Sequence, residues 1–157
     1  MMLRWLWLSV AVIVVDQSTK LYAENALTQY APKSVLPFFN FSLAYNEGAA
    51  FSFLADAGGW QRWFFVALAL GIGALIVHWL WRLPRDEKMV AAGLSLILGG
   101  AIGNLIDRLW HGHVIDFIDL YYGRYHWPAF NIADSAITIG AGLLIAQALF
   151  FSRERRD

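Results

Sequence analysis

Four aspartates lie at or near the ends of two long apolar segments of this chain. Asp107 closes one segment, Asp116 and Asp119 follow it, and Asp134 is the third residue of the next segment. A charged side chain in hydrocarbon costs roughly 2.5 to 3.5 kcal/mol even on a lenient insertion scale, so acids near apolar segments are candidates for function. Of the four, Asp119 is expected to be a solvated or interfacial acid. The chain has no cysteine, so catalysis would depend on Asp, Glu, His, Ser, Lys or Tyr.

The other acids also have structural interpretations, which the spacing leaves open. Asp16 and Lys20 are four residues apart, on one face of a helix, and can neutralise each other. Asp134 can stabilise the positive end of a helix dipole. Asp107 can form a loop ion pair with its neighbour Arg108.

Other catalytic signatures are missing from the sequence. It contains no H-E-x-x-H, no G-x-S-x-G, no G-x-G-D and no phosphate-binding G-x-x-x-x-G-K. His111 and His113 offer two imidazoles without an evident third ligand, so we interpret them as an interfacial loop pair and expect no metal.

The composition is that of a membrane protein. Of the 157 residues, 59% are hydrophobic and 15% are charged, whereas about a quarter are charged in ordinary soluble domains. The net charge of zero removes the electrostatic attraction on which nucleic-acid binding depends. A bilayer core of about 30 Å needs roughly 20 apolar residues in helix. Four segments qualify as predicted spans, at residues 4–23, 63–81, 89–106 and 132–151. The first is interpreted as a retained helix, because no small-x-small cleavage site follows it before Asp16.

Charge asymmetry predicts that both termini are cytoplasmic. The segments on one side of the predicted spans hold seven Lys or Arg in 17 positions, and those on the other side hold four in 64. The eight tryptophans divide between the two ends of the spans, as expected for indole rings at membrane interfaces. The four aspartates would then lie at the outer interface.

Both predicted outer loops, residues 24–62 and 107–131, are long enough to require structure or function of their own. In the first, apolar and polar or small residues alternate over 39–46, which predicts a strand, and Gly48-Ala49-Ala50 would allow a ligand backbone to come close. A structural hairpin without a ligand is the alternative. We therefore predict an all-α membrane protein, one domain over 1–157, with four transmembrane helices and a small extracytoplasmic β-sheet formed largely by the first outer loop.

Small residues within the predicted spans indicate close helix packing. Gly99 and Gly103 form a G-x-x-x-G pattern, which lets helix backbones approach closely. We interpret it as packing within one chain and favour a monomer, with homodimerisation left open.

Five blocks, in order, closely resemble the lipoprotein signal peptidases, or signal peptidase II. They are Asp16-x-x-x-Lys20, Asn46-Glu47-Gly48-Ala49-Ala50-Phe51-Ser52, Gly103-Asn104-Leu105-Ile106-Asp107-Arg108, Val114-Ile115-Asp116-Phe117 and Phe130-Asn131-Ile132-Ala133-Asp134-Ser135. The similarity covers nearly the whole chain and is more specific than any single motif.

The resemblance implies an aspartic endopeptidase of the bacterial cytoplasmic (inner) membrane. Its substrate would be a diacylglyceryl-modified prolipoprotein, cut just before the lipidated cysteine, with no metal or organic cofactor. Asp116 and Asp134 match the family's catalytic pair. The remaining matches are substrate-binding or supporting positions: Asp16, Lys20, Asn46, Gly48, Asn104, Asp107, Arg108 and Asn131.

Such a pair has a defined chemistry. Two carboxyl groups held close in a poorly hydrated site share one proton, so that one acts as base towards water while the other donates to the scissile carbonyl. A cation too near would keep both ionised, so Arg108 is expected to be offset. Two other classes remain as alternatives: a small proton-coupled transporter using Asp16, Lys20 and Asp134, and a non-catalytic membrane scaffold.

Overall fold

The computed structural model describes residues 1–48 and 59–151, in which four long helices accompany one antiparallel sheet. A short 3-10 turn at Leu3–Trp5 leads into the first helix, and a π-helical segment at Gln147–Phe151 follows the last. The helices are α1 (Leu6–Ala26), α2 (Trp60–Arg82), α3 (Lys88–Trp110) and α4 (Ile132–Ala146). The strands are β1 (Lys33–Leu36), β2 (Phe39–Asn46), β3 (Val114–Tyr122) and β4 (Tyr125–His126).

Each predicted span coincides with a helix, but apolarity supports membrane crossing for three of them. Within the described residues, α2, α3 and α4 with its extension to Phe150 are long and apolar enough to cross a membrane. Helix α1 has 21 residues, and Asp16, Gln17 and Lys20 lower its hydropathy. The predicted crossing of the membrane by α1, at residues 4–23, therefore stays a prediction.

Helix α3 packs against α1, α2 and α4, and glycines permit the contacts. A Cβ on Gly103 would come within 2.5 Å of the Asp16 carboxylate, and one on Gly99 within 2.8 Å of Val12. On Gly140 of α4, a Cβ would meet the Gly93 carbonyl oxygen at 2.6 Å. The interpretation of the G-x-x-x-G pattern as packing within one chain is confirmed.

The sheet has the order β1-β2-β3-β4, with antiparallel neighbours throughout. The two outer loops contribute nearly equal lengths: the first supplies β1, with four residues, and β2, with eight, and the second supplies β3, with nine, and β4, with two. The prediction that the first loop largely forms the sheet is therefore not confirmed. Alternation of apolar and polar residues does not reveal β3, because its first six residues are all fully or partly buried and two of them are acids. The strand after Asp107 thus brings Asp116 beside β2, and its end leads through residues 127–131 into α4.

Candidate active site

Asp116 is a buried carboxylate on β3. Its side chain accepts a hydrogen bond from Asn46 Nδ2 at 3.2 Å and another from Asn131 Nδ2 at 2.8 Å. Cross-strand pairing explains the first contact, because Ala44 and Asn46 of β2 lie opposite Asp116 and Val114. Two amide donors thus fix the carboxylate from the first loop and from the residue before α4.

Asp134 is oriented by the N-terminus of α4. Asn131 is the N-cap, and its Oδ1 accepts from the Asp134 main-chain N–H at 2.9 Å. In return, the Asp134 carboxylate accepts from the Asn131 main-chain N–H at 3.2 Å, which completes a capping box. Its other oxygen accepts from Asn104 Nδ2 at 2.8 Å. The predicted stabilisation of a helix start is therefore present, and the same hydrogen bonds aim the carboxylate.

Asn131 joins the two acids. Its side-chain amide N–H group donates to Asp116, while its main-chain N–H donates to Asp134. The residue is fully buried, and the same amide nitrogen also contacts the Asn104 side-chain oxygen and the Ile115 carbonyl oxygen, both at 3.2 Å. One side chain therefore sets the relative positions of both carboxylates.

The proximity of the acids affects their titration. Burial, and then the negative charge of Asp134, raise the pKa of Asp116 to about 7, although the hydrogen bonds from Asn46 and Asn131 oppose the shift. Near neutral pH Asp116 is therefore only partly ionised, as the expected acid–base chemistry of the pair requires.

A buried charge network lies behind the pair. Lys20 Nζ is 2.9 Å from Asp16 Oδ2 and 2.7 Å from Asp107 Oδ2, and it donates to Asn104 Oδ1 at 3.0 Å. The proposed Asp107–Arg108 loop ion pair is wrong, because α3 turns Asp107 inwards onto Lys20. Asp16 does more than neutralise Lys20, since its Oδ1 accepts from the Ala133 N–H at 2.9 Å. The network thereby connects α1 and α3 to the start of α4.

Arg108 holds the first loop. Its guanidinium donates to the Gly48 carbonyl oxygen at 2.8 Å and the Asn104 carbonyl oxygen at 3.3 Å, and it lies over the ring of Phe65. Gly48 in turn donates its N–H to Asn46 Oδ1 at 3.0 Å. Within the described residues Arg108 forms no ion pair with either acid of the pair. Ala49 and Ala50, predicted to let a ligand backbone approach, lie outside the described residues.

All ten sequence-predicted site residues therefore belong to one connected set of hydrogen bonds and ion pairs. Sequence reasoning missed Gln17, whose Nε2 donates to Asp107 Oδ1 at 2.8 Å and contacts Asp16 Oδ2 at 3.2 Å. Its spacing of three residues from Lys20, on the same side of a helix, was the available signal.

Asp119 is not a solvated acid. It is 6% exposed, accepts a hydrogen bond from Asn40 Nδ2 at 2.9 Å, and has one carboxylate oxygen 2.8 Å from His126 Nδ1. The expectation of a solvated acid is wrong because the strand pairing that covers Asp119 joins two different loops. Of the two histidines singled out in the sequence, His113 packs against Tyr45 with ring centroids 4.3 Å apart, and His111 lies 5.9 Å from His113.

A cavity of about 640 Å³ opens beside the acids. Asp134 lines it, together with Asn46 and Asn104, which hydrogen-bond to Asp116 and Asp134 respectively. The remaining wall is mostly apolar and includes Val114, Leu120, Trp127, Pro128, Ala129, Phe130, Ile137 and Ile139. The cavity suits an extended, largely apolar ligand with a few polar groups near the carboxylates.

Substitutions of Asn131 separate its two roles. Serine can still cap α4, so Asn131→Ser is expected to lower the melting temperature less than Asn131→Ala does, but it removes the donor to Asp116. A hydrogen bond to a charged group contributes about 1.5 to 3 kcal/mol, so turnover of a peptidase acting here should fall roughly 10- to 100-fold. Asn131→Ala loses both roles and should cost about 1 kcal/mol more in stability. Equal melting temperatures for the serine and alanine variants, or wild-type turnover by Asn131→Ser, would contradict this division.

Solved structures with this fold are membrane enzymes. One, described as a bacterial membrane enzyme structure at 2.3 Å resolution, superposes with a TM-score of 0.87 at 32% identity and covers 98% of this chain and 92% of the other. A second, at 1.9 Å, has a TM-score of 0.82, also at 32% identity, and covers 94% of each. The fold and the buried polar site thus define a class of bacterial membrane enzyme.

Sequence comparison then specifies the family. The model of Signal peptidase (SPase) II matches residues 8–150, and the chain belongs to that family, as the resemblance predicted. The lipoprotein signal peptidase of Pseudomonas putida is 55% identical, covering 99% of this chain and 91% of the relative. That of Xylella fastidiosa strain M12 is 54% identical, covering 96% and 91%.

Proposed function

We propose that this protein is an aspartic endopeptidase in which Asp116, Asp134 and a water molecule cleave the signal peptide from diacylglyceryl-modified prolipoproteins, just before the lipidated cysteine. Membership of the signal peptidase II family supports the cleavage of lipoprotein signal peptides. The observation that supports Asp116 and Asp134 as the catalytic pair is that one residue, Asn131, donates hydrogen bonds to both carboxylates beside an apolar cavity.

The reaction follows from the shared proton. The ionised member of the pair takes a proton from water as the water oxygen attacks the scissile carbonyl carbon. The protonated member donates to the carbonyl oxygen, where negative charge develops. The amides of Asn46, Asn104 and Asn131 keep the acids in place, so little reorganisation is needed as the proton moves.

The proposed membrane orientation brings the site to the substrate. We place both termini in the cytoplasm and the sheet and site at the extracytoplasmic face of the inner membrane. Exposed tryptophans occur near both ends of the helices, Trp7, Trp79 and Trp81 at one end and Trp60, Trp63 and Trp110 at the other, as expected at two interfaces. The diacylglyceryl group of the substrate is anchored in the outer leaflet, so the scissile bond lies at the same depth as the acids.

Cleavage of a purified diacylglyceryl-modified prolipoprotein, with the product masses determined, tests this proposal. We expect one cut immediately before the lipidated cysteine, and much slower cleavage of the same prolipoprotein without lipid. Cleavage at another bond, or equal rates for both substrates, would contradict the proposed specificity.

The pair also predicts a pH dependence. The folded-state pKa of Asp116 is raised to about 7, so its proton is bound below that pH and lost as the pH rises through it. Above about pH 7 Asp116 is increasingly ionised and can no longer donate a proton, so kcat/KM should fall about tenfold per pH unit. A profile that stays flat up to pH 9, measured with substrate and detergent kept constant, would contradict the shared proton.

A further inference from the structure

The two faces of the sheet carry different polar groups. Side chains alternate along a strand, and Val114 and Leu120 of β3 line the cavity, so Asp116 lies on that same face. Asp119 and Tyr121 project to the opposite face. The buried acid Asp119 is therefore separate from the pair and takes no part in the proposed reaction.

Three side chains meet on this second face. Asn40 is the direct cross-strand partner of Asp119, and its Nδ2 donates to Asp119 Oδ2 at 2.9 Å. His126 of β4 pairs with Tyr121, diagonal to Asp119, and its Nδ1 lies 2.8 Å and 3.1 Å from the two carboxylate oxygens. The imidazole also stacks on the Tyr121 ring, with an interplanar angle of 16°. Asn40, Asp119 and His126, called here the rear cluster, thus fasten β2, β3 and β4 together.

The rear cluster adjoins a wall of the cavity. Residues 127–130 follow directly after His126, and all four line the cavity. Main-chain hydrogen bonds attach both ends of this wall to β3. The Trp127 N–H donates to the Leu120 carbonyl oxygen at 2.7 Å, and the Phe130 N–H donates to the Ile118 carbonyl oxygen at 3.1 Å. Pro128, between them, has no N–H to donate. Since β4 has only two residues, the His126–Asp119 contact restrains the strand immediately before the first end of the wall.

We propose that the rear cluster is a positioning element for substrate binding, which keeps the wall of residues 127–130 where the lipid-bearing part of the substrate packs. This inference rests on the proposed function. The wall is apolar, and the Trp127 side chain is 60% exposed to its surroundings, which suits contact with an acyl-chain or headgroup region. The acids are held by hydrogen bonds from Asn46, Asn104 and Asn131 rather than by the rear cluster. Loss of the cluster should therefore weaken binding and spare the chemical step.

The test compares KM and kcat for the full-length protein with a diacylglyceryl-modified prolipoprotein. His126→Ala should raise KM about tenfold and leave kcat within about twofold, whereas general destabilisation would lower the active fraction and hence kcat. His126→Asn, which keeps an N–H close to the position of Nδ1, should recover most of the wild-type KM. Tyr125→Ala, a matched change on the same strand at an 84% exposed residue, should leave KM unchanged. An unchanged KM for His126→Ala, or a fall in kcat alone, would overturn the proposal.

A binding measurement distinguishes failure of this inference from failure of the proposed function. In the Asp116→Asn background, His126→Ala should weaken binding of the same prolipoprotein about tenfold, and His126→Asn should restore it. Equal binding by the alanine variant and its parent would reject the positioning role even if the wild type cleaves. Weakened binding together with a wild type that does not cleave would support the positioning role and reject the peptidase assignment.

Discussion

Asp116→Asn and Asp134→Asn are each expected to lower kcat by about three orders of magnitude or more. Either change leaves one titratable carboxyl where the mechanism needs a base and an acid, and residues that act as a unit show nearly the full loss on single substitution. The double variant should therefore be little slower than either single variant. Initial rates of prolipoprotein cleavage, with helical content and melting temperature measured on the same samples, check this result.

Asp119→Asn is the matched control. It changes an equally buried acid on the same strand, three residues from Asp116 but on the other face of the sheet. Its kcat should stay within about tenfold of wild type, with any loss appearing mainly in KM. Turnover by Asp116→Asn comparable to that of Asp119→Asn would contradict the assignment of the pair, and it would favour the non-catalytic scaffold, which tolerates either change.

Lys20→Met is expected to have the largest effect on stability. It leaves Asp16 and Asp107 facing each other across a site in which both are at most 1% exposed, without the cation that lies between them. Removing one partner from a buried ion pair costs about 3 to 5 kcal/mol, so the melting temperature should fall sharply and the folded fraction should decrease. Thermal unfolding in a fixed detergent measures the effect.

The double variant Lys20→Met/Asp107→Asn provides the control. It removes one negative charge with the positive one, so it should recover a substantial part of the lost stability, although the gap left by Lys20 remains. If the double variant is destabilised by the sum of the two single changes, the three charges do not act as one network.

Helices and their packing were predictable because local patterns specify them. Apolar length located all four helices, and the spacing of Gly99 and Gly103 predicted the close approach that the structure confirms. The ends differ by a few residues because the first turn of a helix can be polar, as at α2, which begins at Trp60 rather than at residue 63. Membrane crossing by α1 is less clear from composition, because its polar residues face the protein interior and still lower its hydropathy.

Non-local pairing explains what the sequence did not reveal. The burial of Asp119 depends on Asn40, 79 residues away, and the partner of Asp107 is Lys20 rather than its neighbour Arg108. The strand β3 was missed because its acids face the two covered sides of a sheet, where hydrophobic alternation breaks down. The resemblance supplied the site residues, whereas their hydrogen bonds, including the double role of Asn131, required the fold.

Infrared titration of the protonated carboxyl groups in the folded enzyme would examine the sharing of one proton between Asp116 and Asp134 without reference to substrate. The account predicts a carboxylic-acid band that disappears with a midpoint near pH 7, is absent in Asp116→Asn, and in Asp134→Asn shifts to a lower midpoint because the neighbouring charge is gone. A wild-type enzyme whose carboxyl groups are all ionised by pH 5, or a band unaffected by both substitutions, would contradict it.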